Sequence, residues 1–209
     1  MKEDIAPIIG IMRHRIMIDG NGVCTLVAFH SCPLRCKYCL NAQCLTQPEK
    51  FKTYSAQEIC DEVKKDDIYF QATGGGITFG GGEPALRSHL IAAFRELCGS
   101  KWQIGLETSL NVPQHHLLEL IPVVDHYMID IKDMNPEIYR QYTGKDNSQV
   151  IQNLHVLQKL NKAEQVIIRI PLIPDFNTAS DQEKSKSALQ EMGFKKFDLF
   201  TYQKKQHHE

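Results

Sequence analysis

Residues 24–39 read Cys-Thr-Leu-Val-Ala-Phe-His-Ser-Cys32-Pro-Leu-Arg-Cys36-Lys-Tyr38-Cys39, a short apolar run followed at once by three cysteines. The run has the length of a buried strand, and the cysteines occupy the loop that leaves it. Three thiolates on so short a loop can close around a metal cluster. A [4Fe-4S] cubane has four irons, so three thiolates leave one iron open to an outside ligand. An open iron is a reaction site. Two other readings stay open on spacing. Cys44 could complete a four-thiolate site, either zinc or a closed electron-transfer cluster, or the cysteines could be inert. Tyr38 could shield a cluster with its ring or simply pack the loop. Cys60 and Cys98 fall in helical patterns and read as small buried hydrophobes.

Outward from this stretch, apolar runs alternate with amphipathic ones. Strands are predicted at 24–30, 76–79, 102–107, 125–131, 166–170 and 197–201, with helices near 55–65, 85–98, 113–120, 149–161 and 180–191. Ser55 with Glu58 predicts a capping box, and Gly99 and Gly193 stand where helices end. Six strands separated by helices imply a parallel sheet with right-handed crossovers, hence an open doubly wound sheet or an incomplete barrel. No repeat, linker or low-complexity segment divides residues 1–209, so one domain is expected, with residues 1–22 as an N-terminal extension. Chemistry in such folds collects where strands end. The cysteines, the glycines of 74–82, Glu107-Thr108, Asp130-Ile131-Lys132 and Arg169 all fall near such ends.

Composition sets the class. The chain has 209 residues, 42 % hydrophobic and 23 % charged, with a formal net charge of −1. That is ordinary globular composition, and without a basic run nothing supplies the electrostatic term of nucleic-acid binding. No apolar stretch approaches membrane-spanning length, and the start lacks a signal-peptide core. The expected location is the cytoplasm, and the expected state a monomer. Seven cysteines, three of them bunched, fit metal binding better than a disulfide framework.

Thr73-Gly-Gly-Gly-Ile-Thr-Phe-Gly-Gly81-Gly82-Glu83-Pro84 surrounds a short strand with six glycines, which lets another molecule approach the backbone closely. Unpaired backbone groups there could bind a zwitterion, with Glu83 accepting from its ammonium group; a flexible loop is the plainer reading. It is not a P-loop, because no Gly-Lys-Ser/Thr follows. On strand 125–131 and its exit, Met128, Asp130 and Lys132 share one face. An acidic-basic pair on an apolar strand needs partners, either each other or a ligand.

Together these motifs resemble the radical S-adenosylmethionine (SAM) superfamily, whose fold would be a partial (β/α)6 barrel with parallel strands. Asp19-Gly-Asn-Gly22, the stretch 73–84, Asp125-His-Tyr-Met-Ile-Asp-Ile-Lys132 with Tyr142-Thr-Gly-Lys-Asp-Asn147, and Arg169-Ile-Pro-Leu-Ile-Pro-Asp-Phe-Asn177 are similar to the pattern of glycyl-radical-enzyme activating enzymes. The similarity runs from about residue 16 to 203.

The resemblance implies that Cys32, Cys36 and Cys39 hold a [4Fe-4S] cluster whose open iron binds SAM. An electron from the cluster then cleaves SAM to methionine and a 5′-deoxyadenosyl radical, which takes hydrogen from a glycine of a partner glycyl radical enzyme. It further implies that Tyr38, Gly81, Gly82, Glu83, Lys132, Arg169 and Gln203 contact SAM, that Asp19 contacts the partner's glycine loop, and that Glu107, Thr108, Met128 and Asp130 surround a monovalent cation. The reductant would be a flavodoxin- or ferredoxin-type protein. The chain departs from the pattern at Cys24, where the family has arginine, at Glu107, where it usually has aspartate, and at Thr201-Tyr202-Gln203. The inserted ferredoxin-type domain of many activating enzymes is absent. Other readings are a SAM enzyme acting on a small molecule, similar to the 7-carboxy-7-deazaguanine synthases, and a four-cysteine metal-binding protein.

Overall fold

Large apolar residues recur at every second position along the parallel strands, and this alternation gives the sheet two unlike faces. The computed structural model describes residues 5–202. Its strands are β1 (Ile5–Ile16), β2 (Val23–Phe29), β3 (Thr53–Ser55), β4 (Gly76–Gly81), β5 (Gln103–Thr108), β6 (His126–Asp130), β7 (Val166–Leu172) and β8 (Lys196–Thr201). Its helices are α1 (Ala56–Val63), α2 (Asp67–Thr73), α3 (Ser88–Cys98), α4 (Gln114–Leu120), α5 (Pro136–Thr143), α6 (Ser148–Lys159) and α7 (Ala179–Glu191). The strands form one sheet in the order β3-β1-β2-β4-β5-β6-β7-β8.

From β2 to β8 every pairing is parallel, which gives the six parallel strands expected from the sequence. Side chains from β1 (Met12, Arg15) and from β8 (Asp198, Phe200) line the same cavity, so the sheet curls around it. No pairing joins β1 to β8 among the described residues, and the barrel is therefore partial, open on that side.

The outer face carries the core. Val27, Phe29, Ile77, Phe79, Ile104, Leu106, Tyr127, Ile129, Ile168 and Ile170 are buried in one cluster with side chains of the covering helices. Phe79 stacks on Phe29 at 5.6 Å between ring centres and meets Phe94 of α3 edge-on at 5.3 Å. The predicted capping box starts α1: Ser55 N–H donates to Glu58 Oε2 at 2.8 Å, and Glu58 N–H donates to Ser55 Oγ at 3.2 Å. Gly99 ends α3 with φ +61°, and Gly193 follows α7 with φ +94°. Helices α2 and α5 were not expected from the periodicity. Each is short, and α5 is set by local caps, Asn135 before it and left-handed Gly144 after it.

Part of the expected N-terminal extension is itself a strand of the sheet. Ile5–Ile16 is β1, antiparallel to β2 with Ile8 opposite Phe29 and Ile16 opposite Val23, and β3 adds antiparallel to its start. Two register shifts, between Ile8 and Gly10 and between Met12 and Arg15, interrupt it. His14, at φ +57°, lies inside the second. Each extra residue flips the side chains that follow to the opposite face, so no alternation survives to mark a strand. Among the described residues no helix is long and apolar enough to cross a membrane.

Candidate active site at the strand ends

The inner face of the sheet, opposite the core, encloses a cavity of about 580 Å³, within the usual range for small-molecule sites. Its wall at the end of β2 is the cysteine loop. Ser31, at φ +81°, turns the chain out of the strand, and the buried Leu34 anchors the loop. Arg35 N–H donates to the Thr143 carbonyl at 2.8 Å and Lys37 N–H to the Tyr142 carbonyl at 3.1 Å, so α5 buttresses it. Cys32, Cys36 and Cys39 are half-buried and line the cavity, and Cys44 lines it beside them. Burial, with Glu83 nearby, pushes the Cys32 thiol up to about 12. Burial also raises Cys36, against the pull of Lys132. A thiol in such surroundings ionises when a metal takes the proton's place.

The donor set fits a cluster with one open iron. Three thiols stand on one loop facing a cavity, with a cationic side chain near Cys36. Among the described residues no group of three or more His, Cys, Asp or Glu is close enough to hold a single ion, as tetrahedral zinc would need. A cubane places each thiolate on a separate iron, so its ligands stand apart.

Opposite the cysteines, charges from neighbouring strands interlock. Arg169 of β7 sits beside Asp130 of β6 in register. Its Nε donates to Asp130 Oδ1 at 2.7 Å and its Nη1 to Glu107 Oε1 at 3.1 Å, while Lys132 Nζ donates to Asp130 Oδ2 at 3.1 Å. Burial alone would raise the Asp130 carboxyl, but Lys132 and Arg169 outweigh it and hold it at about 2. Burial raises Glu107, with Arg169 only partly opposing. The residues expected around a cation are therefore arranged differently. Glu107 and Asp130 grip a guanidinium, Thr108 Oγ1 donates to Glu83 Oε1 at 2.6 Å, and Met128 is buried behind them.

Glu83 sits differently from its expected place at a ligand's ammonium group. It is 1 % exposed, and its two oxygens accept from Thr108 Oγ1, Ala85 N–H (3.2 Å), Ser109 N–H (2.9 Å) and Ser109 Oγ (2.6 Å). Four donors fill a carboxylate, so Glu83 ties the β4 exit to the β5 exit. Gly81 and Gly82 do line the cavity. A Cβ at Gly82 would stand 2.2 Å from the Ser31 carbonyl, so only glycine lets the two loops meet.

Asp19 is buried, lines the cavity and accepts from Arg15 Nη2 at 2.9 Å. Its carbonyl accepts from Thr78 Oγ1 at 2.7 Å, and a Cβ at neighbouring Gly20 would stand 2.7 Å from His126 Nε2. The 19–22 turn thereby fits into the sheet's hollow as a floor. Tyr38 packs edge-on to Phe176 (5.6 Å) and Tyr142 (6.1 Å), and its hydroxyl donates to Asp175 at 2.6 Å. Tyr142 and Tyr202 line the cavity, and Tyr202 hydroxyl bonds the Tyr38 carbonyl. Gln203 lies outside the described residues. The sequence reading missed Arg15, Ser109, Tyr142 and Tyr202. Ser109 follows directly on Glu107-Thr108, Tyr142 opens the Tyr-Thr-Gly stretch and Tyr202 precedes Gln203, signals that were there to use.

Such an arrangement, a three-cysteine loop at the first parallel strand facing a charged barrel interior, defines a class. Residues 26–183 match the Radical SAM superfamily, and the chain belongs to it. The family uses a [4Fe-4S] cluster and SAM. Within it, the chain is similar to the pyruvate formate-lyase-activating enzyme of Listeria monocytogenes, 32 % identical over 189 residues that cover 83 % of this chain and 71 % of the relative. It is also 38 % identical over 127 residues to the (2S)-3-sulfopropanediol dehydratase activating enzyme of Klebsiella oxytoca, covering 60 % of this chain but only 39 % of that one. Among solved structures, Streptococcus suis SuiB bound to S-adenosylmethionine superposes with a TM-score of 0.65 at 14 % identity over 85 % of this chain and 40 % of that one, which shows the shared fold.

Proposed function

We propose that the chain is a single radical SAM core acting as a glycyl-radical-enzyme activating enzyme. In this reading Cys32, Cys36 and Cys39 hold the cluster. The observation that carries it is the meeting, across one cavity, of the cysteine loop with the Asp130, Lys132 and Arg169 network. Bound together, the cluster and SAM supply one-electron chemistry that ends in removal of a hydrogen atom from a substrate carbon. The protein's own residues bind, orient and shield. Lys132, held by Asp130, offers its remaining donors to the polar groups of SAM. Arg169 orients carboxylate-bearing groups near Glu107 and Asp130. The Gly81–Gly82 backbone allows close approach, with Glu83 fixing that loop. Tyr142 and Tyr202 cover the wall against water.

The relatives named above are activating enzymes, which supports a protein substrate; the open side between β1 and β8 is the entrance it would use. Those relatives do not favour the small-molecule reading. Asp19 on the floor would meet the incoming glycine loop by exchanging its bond to Arg15, and a flavodoxin- or ferredoxin-type protein would supply the electron. Glu107, Thr108, Met128 and Asp130 would take a monovalent cation only if Arg169 gave way.

The test is anaerobic reconstitution, reduction with dithionite in the presence of SAM, and chromatography for 5′-deoxyadenosine. Formation of the nucleoside, followed by a glycyl-radical EPR signal when a partner enzyme is added, is expected. A fully reconstituted cluster that yields no nucleoside would overturn the reading.

A further inference from the structure

Of the four side chains expected around a monovalent cation, three already have polar partners in the fold. Asp130 gives one oxygen to Arg169 Nε at 2.7 Å and the other to Lys132 Nζ at 3.1 Å. Glu107 Oε1 accepts from Arg169 Nη1 at 3.1 Å, and its Oε2 is folded over β4, where a Cβ on Gly80 would stand 2.8 Å away. Thr108 Oγ1 donates to Glu83 and accepts from Leu110 N–H at 2.9 Å. Met128 is buried and offers only a thioether, a weak acceptor. An ion entering here would stand against a guanidinium and an ammonium, and like charges so close repel.

Strand register produces this arrangement. Asp130 of β6 lies beside Arg169 of β7, whereas Glu107 of β5 lies beside Met128, two residues earlier on β6. The Arg169–Glu107 bond therefore spans β6, and a glutamate, one methylene longer than aspartate, helps it cross. A guanidinium suits the place: it carries one delocalised positive charge, is weakly hydrated, and its fixed fork of donors serves two carboxylates at once. Two carboxylates and two cations then balance, and all four side chains line the cavity. We infer that Arg169 is the built-in cation of this site, filling the place of a monovalent ion, so that the chain binds SAM without sodium or potassium. The inference rests on the proposed SAM site for its ligand; the contest between ion and guanidinium concerns the protein alone.

The test uses the anaerobically reconstituted protein in sodium, potassium and N-methylglucamine chloride at one ionic strength. Thermal unfolding without SAM reads ion binding, since an ion held only by the folded chain raises the midpoint. Titration with SAM reads its Kd. For the wild type, coincident midpoints in the three salts are expected, with Kd values equal to within about twofold. Arg169→Gln removes the charge and leaves Glu107 and Asp130 with one ammonium between them, so it should acquire the ion. Its midpoint should be higher in sodium or potassium chloride than in N-methylglucamine chloride, and its Kd for SAM tighter there by about tenfold. Glu107→Asp, which shortens the reach across β6, should respond in the same direction but less. A wild type stabilised by sodium or potassium, or binding SAM about tenfold more tightly with either, would overturn the inference. So would an Arg169→Gln indifferent to the three salts. If Arg169→Gln does not fold by circular dichroism, the wild type and Glu107→Asp decide in its stead. A wild type that binds no SAM in any salt defeats the proposed function, while the midpoints still decide between ion and guanidinium.

Discussion

The two faces of this sheet are built from the same strands and obey opposite rules. On β6, Tyr127 and Ile129 point outward into the core, while Met128 and Asp130 point inward. On β4 the outward pair is Ile77 and Phe79, and the inward positions are Thr78 and Gly80. The outer face is stabilised by area removed from water and tolerates only apolar shape. The inner face carries Arg15, Lys132 and Arg169 against Asp19, Glu107 and Asp130, held in place by one another. Stability lives mostly on one side of the backbone and chemistry on the other, one residue apart.

Substitutions can break that division. The largest effect expected is on the inner side: Cys36→Ser should lose the cluster and with it all SAM cleavage, read by iron content and nucleoside formation, while thermal unfolding of the cluster-free proteins stays close. If both proteins unfold together at a much lower temperature, the division fails. Next comes the outer side, where Phe79→Ala removes a fully buried ring between Phe29 and Phe94. Urea denaturation should show a loss of about 3–5 kcal/mol.

Asp130→Asn tests how much the inner charges add to stability. The carboxyl is held at about 2 in the fold, below its unfolded value near 3.9. Its stabilising contribution, about 2–3 kcal/mol, is therefore complete above the unfolded value and disappears as pH falls from roughly 5 toward 2. The wild-type chain should lose that much more stability than Asp130→Asn over this window; parallel pH curves would refute it. Glu107, raised by burial, works in the opposite sense: it costs stability as pH rises through its ionisation, so Glu107→Gln should steepen the acid loss. Smallest is Glu83→Gln, which turns one acceptor into an amide donor facing Ser109 N–H or Thr108. A cost of about 1–2 kcal/mol is expected in the same urea assay, with SAM affinity falling further than stability as the Gly81–Gly82 loop loosens.

The outer face was the more legible. Its apolar residues form short runs between amphipathic stretches, and those runs located all six parallel strands and the loops that end them. The cysteine loop was legible for another reason, since its ligand spacing is local in sequence. The inner face depends on register, which periodicity does not carry. That Arg169 would lie beside Asp130 and reach Glu107, or that Glu83 would be enclosed by Thr108 and Ser109, follows from strands 25 to 62 residues apart coming into line. Only the Asp130–Lys132 pair, two residues apart on one strand, could be read as partners in advance. β1 escaped because its bulges scramble the period that would have announced it.

Those bulges act on the rest of the molecule as well. Beyond Pro7, β3 no longer pairs with β1, and that outer edge meets no other strand among the described residues. A straight edge there would offer a regular row of backbone donors and acceptors to β8 or to another chain. With an extra residue in each of two places and His14 in a left-handed conformation, the row is out of step with any regular strand. The irregularity removes the regular row that edge-to-edge pairing with β8 or with another chain would need.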